Sequence, residues 1–597
     1  MDTTTTTGPA IAVQPPAQPK LEFPSPFTFI LNNPVPLVEL RLRRFAREIH
    51  AKPQWWWKVH DANIVARWRA EIVDFDNEMI QRFWAGDARF DEGSGEKQWP
   101  RDPITEAQLN HLFDQLRYVA GQRDPETGTM PTTIPMVYEA SALIPAPLKG
   151  GIRDLASKLE DVPEDQQDWH PGSNNQVLDL VHPSLFCLRI GRSFVLDPQP
   201  GHTDVLRRLT EEEYFHQRPD IEKRAQDIWT RQSTDERLPF DFTVSKAYQW
   251  LPTDFAVAAD GRVTSKGYIN NLHPVDNAAG YQTISSILER FVPLFERTLS
   301  DQLSPSPPPI FPIEPQGWYC REYDSRPEEL EHGTSEMDSW ERLNHWPDIP
   351  DALPFQLPSE EGRVSFSLRG RTIQVIVKMA NIVLTPEKPT YDGGSWHVEG
   401  MANEKIVATG LYYYDSDNIT ESKLMFRAAV GDGECNGATF LGYGQWGHKG
   451  YLVVCGVTDG HALNQQLGHI VAQEDKCIVF PNIYQHRVAP FELADRSRPG
   501  HRKILALFLV DPLTPVHSTS VVPPQQAHWY RDVIYNAKPF RKLPVELVET
   551  ILEYALEGAI TLEQAVDDRE ELMKERAQFI VAHNNEVFEA PFAMCEH

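Results

Sequence analysis

The sequence predicts an α+β protein. A mostly antiparallel β unit of barrel or jelly-roll type is embedded between a large helical N-terminal region and a helical C-terminal extension. Three observations predict it. Apolar residues recur three and four apart through much of residues 21–300, the spacing of amphipathic helices. A proline-rich segment over residues 301–316, DQLSPSPPPIFPIEPQ, then stops that pattern, because proline is excluded from helix interiors and central strands. Beyond residue 361, β-branched and aromatic runs alternate with Gly, Asp, Asn and Pro, which is the pattern of strands and turns.

Residues 1–20 are rich in Thr, Pro, Ala and Gln, lack apolar periodicity and read as a disordered tail. VELRLRRFAREIH, ANIVARWRAEIVDFDNEMIQRFWAG and ITEAQLNHLFDQLRYVAGQ read as helices, the last with Thr105 as its N-cap. TDVLRRLTEEEYFHQ and YQTISSILERFVPLFERTLSD read the same way, so residues 21–300 are expected to be mainly helical. The Trp55–Trp57 run is expected to pack into a core and not to form a stacking platform. Residues 301–360 read as a Pro-rich and acidic connection, lying either across one integrated fold or between separate domains. In residues 361–515 the expected strands are RVSFSLRG, RTIQVIVKMANIVL, IVATGLYYYD, YLVVCGV, KCIVFP, YQHRVAPF and RKILALFLVD. Residues 516–597 return to helices in LPVELVETILEYALEGA and TLEQAVDDREELMKERAQFIVAHNNEV. The first of these, from Leu543, superficially resembles an F-box opening helix, but any amphipathic helix after a proline has the same letters.

Among 597 residues, 57 are Lys or Arg and 85 are Asp or Glu, a net charge of −28. That field repels phosphate, so neither nucleic acid nor an anionic membrane is an expected partner. Six cysteines without a C-x-x-C pair indicate neither a disulfide framework nor a thiolate zinc site. No basic-then-apolar leader and no apolar run of about 18 residues is present. The expectation is an intracellular, cytoplasmic or nuclear protein without signal peptide or transmembrane segment.

The candidate chemistry lies in the β unit. His397 and Glu399, in GGSWHVEG, are two apart, so on a strand both side chains share one face. Non-haem iron takes two histidines and one carboxylate on one face and leaves the other positions open. His486, in FPNIYQHRVAPF, is the candidate distal ligand. The His-x-acid spacing alone decides nothing, since it arises by chance as often as it is seen here. The other match, His202-Thr-Asp204, opens a helical stretch and reads as a cap. His448, His461 and His469 have no acid two residues on and read as loop or edge histidines. Arg502, heading RKILALFLVD, is the candidate anchor for a distal carboxylate. Lys503 is its rival, because both faces of that strand are apolar and parity cannot choose. Arg496 and Arg498 lie in a polar turn and read as solvated.

The order His397-x-Glu399, IVATGLYYYD, His486 and Arg502 resembles the double-stranded β-helix of Fe(II)/2-oxoglutarate-dependent oxygenases. More closely, the chain resembles a fungal family known as domain of unknown function 4246. QWLPTDF, YINNLHP, QVIVKMANIVLTPEKP, GGSWHVEGMANEKIVATGLYYYDSDNIT, CIVFPNIYQHRVAPFELAD, PGHRKILALFLVDP and VPPQQ carry that match. The oxygenase resemblance implies Fe(II) on His397, Glu399 and His486, and 2-oxoglutarate held by Arg502. It further implies Thr409, Tyr412 and Tyr413 hydroxyls against the cosubstrate, with Lys378 and Asn381 lining the mouth. Asn271 and His273, in YINNLHP, are candidates to cover the site, although a structural turn reads more naturally there. The implied reaction is hydroxylation of an unidentified small molecule or peptide, with 2-oxoglutarate yielding succinate and CO2. Two features depart from that class: Glu399 stands where Asp is usual, and Arg502 follows His486 by 16 positions. The rival readings are a catalytically silent scaffold or binding protein, and a metal-dependent cupin-like enzyme that does not use 2-oxoglutarate.

Overall fold

The computed structural model describes residues 21–28, 34–84, 97–197, 205–218, 241–313, 334–337, 340, 347, 349–430, 448–457 and 460–591. The expected tail over residues 1–20 and the His202-Thr-Asp204 triplet lie outside the described residues. Among the described residues, no helix is long and apolar enough to cross a membrane.

The first helices build a cluster of their own. They are α1 (Leu37–His50), α2 (Ala62–Trp84) and α3 (Glu106–Gln122), with Leu42, Phe45, Trp68, Leu112 and Phe113 buried between them. The Thr105 hydroxyl caps α3, accepting from the Gln108 amide at 3.2 Å. A buried ion pair, Arg41–Asp76 at 2.9 Å, ties α1 to α2. Asp76 also accepts from Trp99 Nε1 and the Ile104 amide, so its charge is fully engaged. Of the tryptophan run, Trp55 is buried and Trp56 lies under the Arg123 guanidinium at 4.0 Å. Trp57 departs from the expected core packing and is 65% exposed. The described parts of residues 301–360 lie across this cluster through Ile310, Phe311, Ile313 and Ala352.

Further helices are α4 (Ala146–Glu160), α5 (Ala278–Leu303), α6 (His448–Cys455), α7 (Ala527–Asn536), α8 (Val545–Ala555) and α9 (Leu562–His583). The strands before residue 300 that join the large sheet are β1 (Met130–Pro131), β2 (Tyr138–Ala140), β3 (Val177–Val181), β4 (Thr253–Val257) and β5 (Val263–Ser265). Later strands are β6 (Thr372–Leu384), β7 (Thr390–Tyr391), β8 (Ile406–Asp417), β9 (Lys423–Ala429), β10 (Asn464–Val471), β11 (Cys477–Pro481), β12 (Gln485–Val488), β13 (Phe491–Glu492) and β14 (Gly500–Val510).

A nine-stranded antiparallel sheet runs β1-β2-β11-β8-β14-β6-β4-β5, with β3 also pairing with β6. Five of its strands are short ones from residues 21–300, set among the helices of that region. A smaller sheet runs β10-β9-β12, and β7 pairs with β13 beside it.

Strand alternation sorts the large sheet into two buried faces. Val375, Val377, Met379, Tyr412, Tyr414, Leu505, Leu507 and Leu509 pack on α4 and α5. Ile376, Leu411, Tyr413, Ala506, Phe508 and Val510 pack on Leu424, Phe426, Leu467 and Ile470 of the small sheet. The sheets stack and do not close into the expected barrel: among the described residues no strand belongs to both ladders.

Two segments read as strands are not. YLVVCGV lies mostly in α6, since a short continuous apolar run does not distinguish buried helix from buried strand. RVSFSLRG stays irregular because its Phe366 and Leu368 amides bond to the Ser300 and Glu296 side chains of α5 instead of to a strand. TDVLRRLTEEEYFHQ divides into a strand at Val205–Arg208 and a helix at Glu211–His216.

Gly410 of β8 sits where a Cβ would lie 2.8 Å from Phe291 of α5. G410A is therefore expected to cost about 1–3 kcal/mol, read as a lower urea midpoint; an unchanged midpoint would contradict this packing. A second prediction concerns pH. His583 stacks on Phe579 and bonds to the Pro26 carbonyl at 2.9 Å, and burial lowers its pKa from 6.5 to about 4. Burial likewise lowers His50 to about 3 and His517 to about 4. The unfolded chain takes up these protons first. Stability should thus be fully present above pH 6.5 and fall as pH drops towards 4. Urea titrations across that window should show the slope, and H583Q should make it shallower while His50 and His517 keep the remainder.

Candidate metal centre

His397, Glu399 and His486 come together. His397 and His486 are direct cross-strand neighbours that exchange both backbone hydrogen bonds, at 3.2 and 3.0 Å. This pairing puts their side chains on one face, with ring centroids 4.5 Å apart. Glu399 is held by Asn482, whose Oδ1 accepts from the Glu399 amide at 2.8 Å. The Asn482 Nδ2 donates back to the Glu399 carbonyl at 2.9 Å and to the Ile406 carbonyl at 3.0 Å. Glu399 Oε1 thus lies 3.2 Å from His486 Nε2 and 3.8 Å from His397 Nε2.

The tautomer of His397 follows from its partner. Nδ1 lies 2.8 Å from the Ser395 carbonyl, which can only accept, so Nδ1 carries the proton and Nε2 presents a lone pair to the cluster. Desolvation and the neighbouring His486 lower His397 to about 4. Burial alone would raise Glu399, but the His486 hydrogen bond and the His397, His486 and Lys378 charges outweigh it and hold the carboxyl at about 2. At neutral pH the group offers a neutral imidazole and a carboxylate. The His397 side chain, 33% exposed, opens to solvent, while His486 is packed against Phe480. One carboxylate and two imidazoles on one face fit a first-row divalent ion with open positions.

Arg502 lies on the large sheet's inner face, paired with Ile382 and in phase with Ile504, Ala506 and Phe508. It is 2% exposed and has no carboxylate within ion-pair distance among the described residues. Its Nη1 donates to the Ser422 hydroxyl at 2.5 Å, its Nε has no partner, and Tyr413 and Phe491 face the guanidinium at 5.4 and 5.5 Å. Desolvation lowers its pKa, opposed by Tyr413 and Tyr391. The turn before it is organised by Asn418, whose amide donates to the Asp495, Arg498 and Pro499 carbonyls. Lys503 points to the opposite face and pairs with Glu160 at 2.8 Å.

Thr409, Tyr413 and Lys378 share the inner face with Arg502 by register. Two expected neighbours do not. Tyr412 faces the helices, its hydroxyl 3.4 Å from Asp475. Asn381 also faces that way, donating to Glu160 at 2.7 Å and accepting from Tyr414. Asn271, at φ 66°, pins a turn by donating to the His182 and Leu185 carbonyls. His273 accepts from the Asp276 amide and packs edge-on to Trp529; neither residue is brought to the triad. Sequence reasoning missed Asn482, Ser422 and a second cluster, His170–Asp179–His182. The D-x-x-H spacing ending VLDLVH was the available signal for that cluster.

The profile of a family described as "Protein of unknown function (DUF4246)" matches residues 106–533. The chain belongs to the DUF4246 family. A profile described as "Domain of unknown function DUF4246, N-terminal" matches residues 8–71. No curated protein matches. Among solved structures, IDO from Bacillus thuringiensis is similar at 10% identity and TM-score 0.15, covering 24% of this chain and 46% of that one. A bsmA homologue from Methylobium petroleophilum is similar at 11% identity and TM-score 0.14, covering 24% and 42%. The Fe(II)/(alpha)ketoglutarate-dependent dioxygenase TqaL is similar at 9% identity and TM-score 0.19, covering 64% and 93%. The chain thus spans less than half the length of the first two.

N482A removes the clamp on Glu399 without touching a ligand side chain. It is expected to weaken Fe(II) or Co(II) binding about 10–100-fold, measured by anaerobic calorimetry with folding checked by circular dichroism. Unchanged affinity would show that the clamp does not position Glu399.

Proposed function

We propose that this member of DUF4246 is an Fe(II)- and 2-oxoglutarate-dependent oxygenase of the hydroxylase type. One observation carries the reading: Arg502, a buried cation with no anionic partner among the described residues, lies on the inner face that meets the small sheet bearing His486. A buried unpaired charge is costly, and a ligand carboxylate removes the cost.

When bound, iron and 2-oxoglutarate supply dioxygen activation, coupled to decarboxylation of the cosubstrate to succinate and CO2. His397, Glu399 and His486 would hold the metal on one face. Arg502 would take the distal carboxylate through parallel charge-assisted hydrogen bonds, with Ser422 fixing its guanidinium. Tyr391, Tyr413 and Phe491 wall that end and exclude water. The Thr409 hydroxyl, fully buried without a hydrogen-bond partner on the same face, is available to the cosubstrate.

The chain path supports a jelly-roll origin for the site. From β6 to β14 it passes repeatedly between the two sheets, and β6-β14-β8-β11 lie together opposite β12-β9-β10.

Anaerobic titration with Fe(II) and 2-oxoglutarate tests the reading through the visible charge-transfer absorption of the chelate. Wild type should develop the band, H486A should not, and R502A should need at least about tenfold more 2-oxoglutarate. No band in wild type would overturn the proposal. A band with unchanged 2-oxoglutarate demand in R502A would remove Arg502 from the role and favour a metal enzyme that does not use this cosubstrate.

A further inference from the structure

The second cluster resembles the first in composition but differs in protonation. The Ser184 amide donates to His182 Nδ1 at 3.2 Å, so in neutral His182 the proton sits on Nε2. That nitrogen lies 3.9 Å from Asp179 Oδ2, too far for a hydrogen bond, and with its proton it has no lone pair for a metal. His170 Nδ1 does reach the same oxygen, at 2.7 Å. Asp179 Oδ1 has no partner although the residue is only 4% exposed. The cluster therefore offers a hydrogen-bond donor and an unpaired carboxylate oxygen.

A cation stands beside it. Asp179 pairs in register with Ala380, on the same inner face as Lys378, and a register shift between Met379 and Ala380 interrupts the ladder there. Such irregularities re-aim side chains. Lys378 makes no hydrogen bond or ion pair within the described residues, and its charge acts on Asp179 and His182. Lys378 and Asp179 are thus neighbours on one face without being an ion pair. Burial would raise the Asp179 carboxyl, but His182, the His170 hydrogen bond and the Lys378 charge, in that order, hold it at about 2.

We infer that Asp179 and Lys378 form a subsite for the zwitterionic head of a free α-amino acid, with its ammonium on Asp179 Oδ1 and its carboxylate on Lys378 and His182 Nε2. Asp179 and Lys378 each then gain an opposite charge that the fold denies them, and His182 Nε2 gains an acceptor. His170 and Asn271 are positioning residues: the first fixes the Asp179 carboxylate, and the second fixes the turn carrying His182. The inference rests on the oxygenase reading for the reaction but not for binding.

The test is calorimetry of the full chain with a panel of L-amino acids, performed metal-free and again with Fe(II) and 2-oxoglutarate under anaerobic conditions. At least one amino acid should bind, and its N-acetyl and carboxamide derivatives should bind at least about tenfold more weakly. D179N and K378M should each weaken the same ligand by at least about tenfold while keeping the wild-type circular dichroism spectrum. No binding by any amino acid, derivatives that bind equally well, or folded variants with unchanged affinity would overturn the inference. The two readings fail separately. A charge-transfer band in protein that binds no amino acid sinks only the subsite, whereas amino-acid binding in protein that forms no band sinks only the oxygenase.

Discussion

Both faces of the central strands β6, β8 and β14 are buried, and this constraint decides what every residue on them can do. One face packs against α4 and α5 and is almost wholly apolar, with polar groups such as Asn381 and Lys503 paired to Glu160 at its edge. The other face meets the small sheet. There Arg502 and Lys378 point inward without carboxylate partners among the described residues, and Thr409 keeps an unused hydroxyl. Cations lacking ion partners persist in such a place only if the folded state tolerates their cost or a ligand removes it.

The triad is stabilised by backbone and amide groups more than by its own side chains. The reciprocal His397–His486 pair sets the two rings, and Asn482 holds the backbone of Glu399 through two hydrogen bonds. Local geometry also separates two clusters that look alike as lists of residue types. A carbonyl next to His397 leaves its Nε2 free to ligate, whereas an amide next to His182 places a proton on the corresponding nitrogen. The net charge of −28 is thus a property of the whole chain, while the inner face carries local positive charge.

Much of the site was legible in the sequence because its signal is short-range. His397 and His486 meet through an isolated bridge, and Glu399 lies in the bend after it, held by Asn482, so the expected strand parity is not what joins them; His486 and Arg502 lie on later strands of the same unit. The first helices were legible for the same reason, through periodicity and the Thr105 cap. Parity along β14, β8 and β6 was not enough, since with both faces apolar only the ladder register assigns Tyr412 and Asn381 to the helices and Tyr413 and Lys378 to the interior. The second cluster was missed because VLDLV is a short strand joined to β6 across nearly two hundred residues of sequence. RVSFSLRG has strand composition, yet side chains of α5 take its amide hydrogens, and nothing local announces that.

The most direct test of the account is anomalous diffraction at the iron edge from crystals grown anaerobically with Fe(II) and 2-oxoglutarate. One strong peak is expected between His397 Nε2, Glu399 and His486 Nε2, with the distal carboxylate of 2-oxoglutarate on Arg502. A peak at His170–Asp179–His182 instead, or 2-oxoglutarate bound away from Arg502, would contradict it.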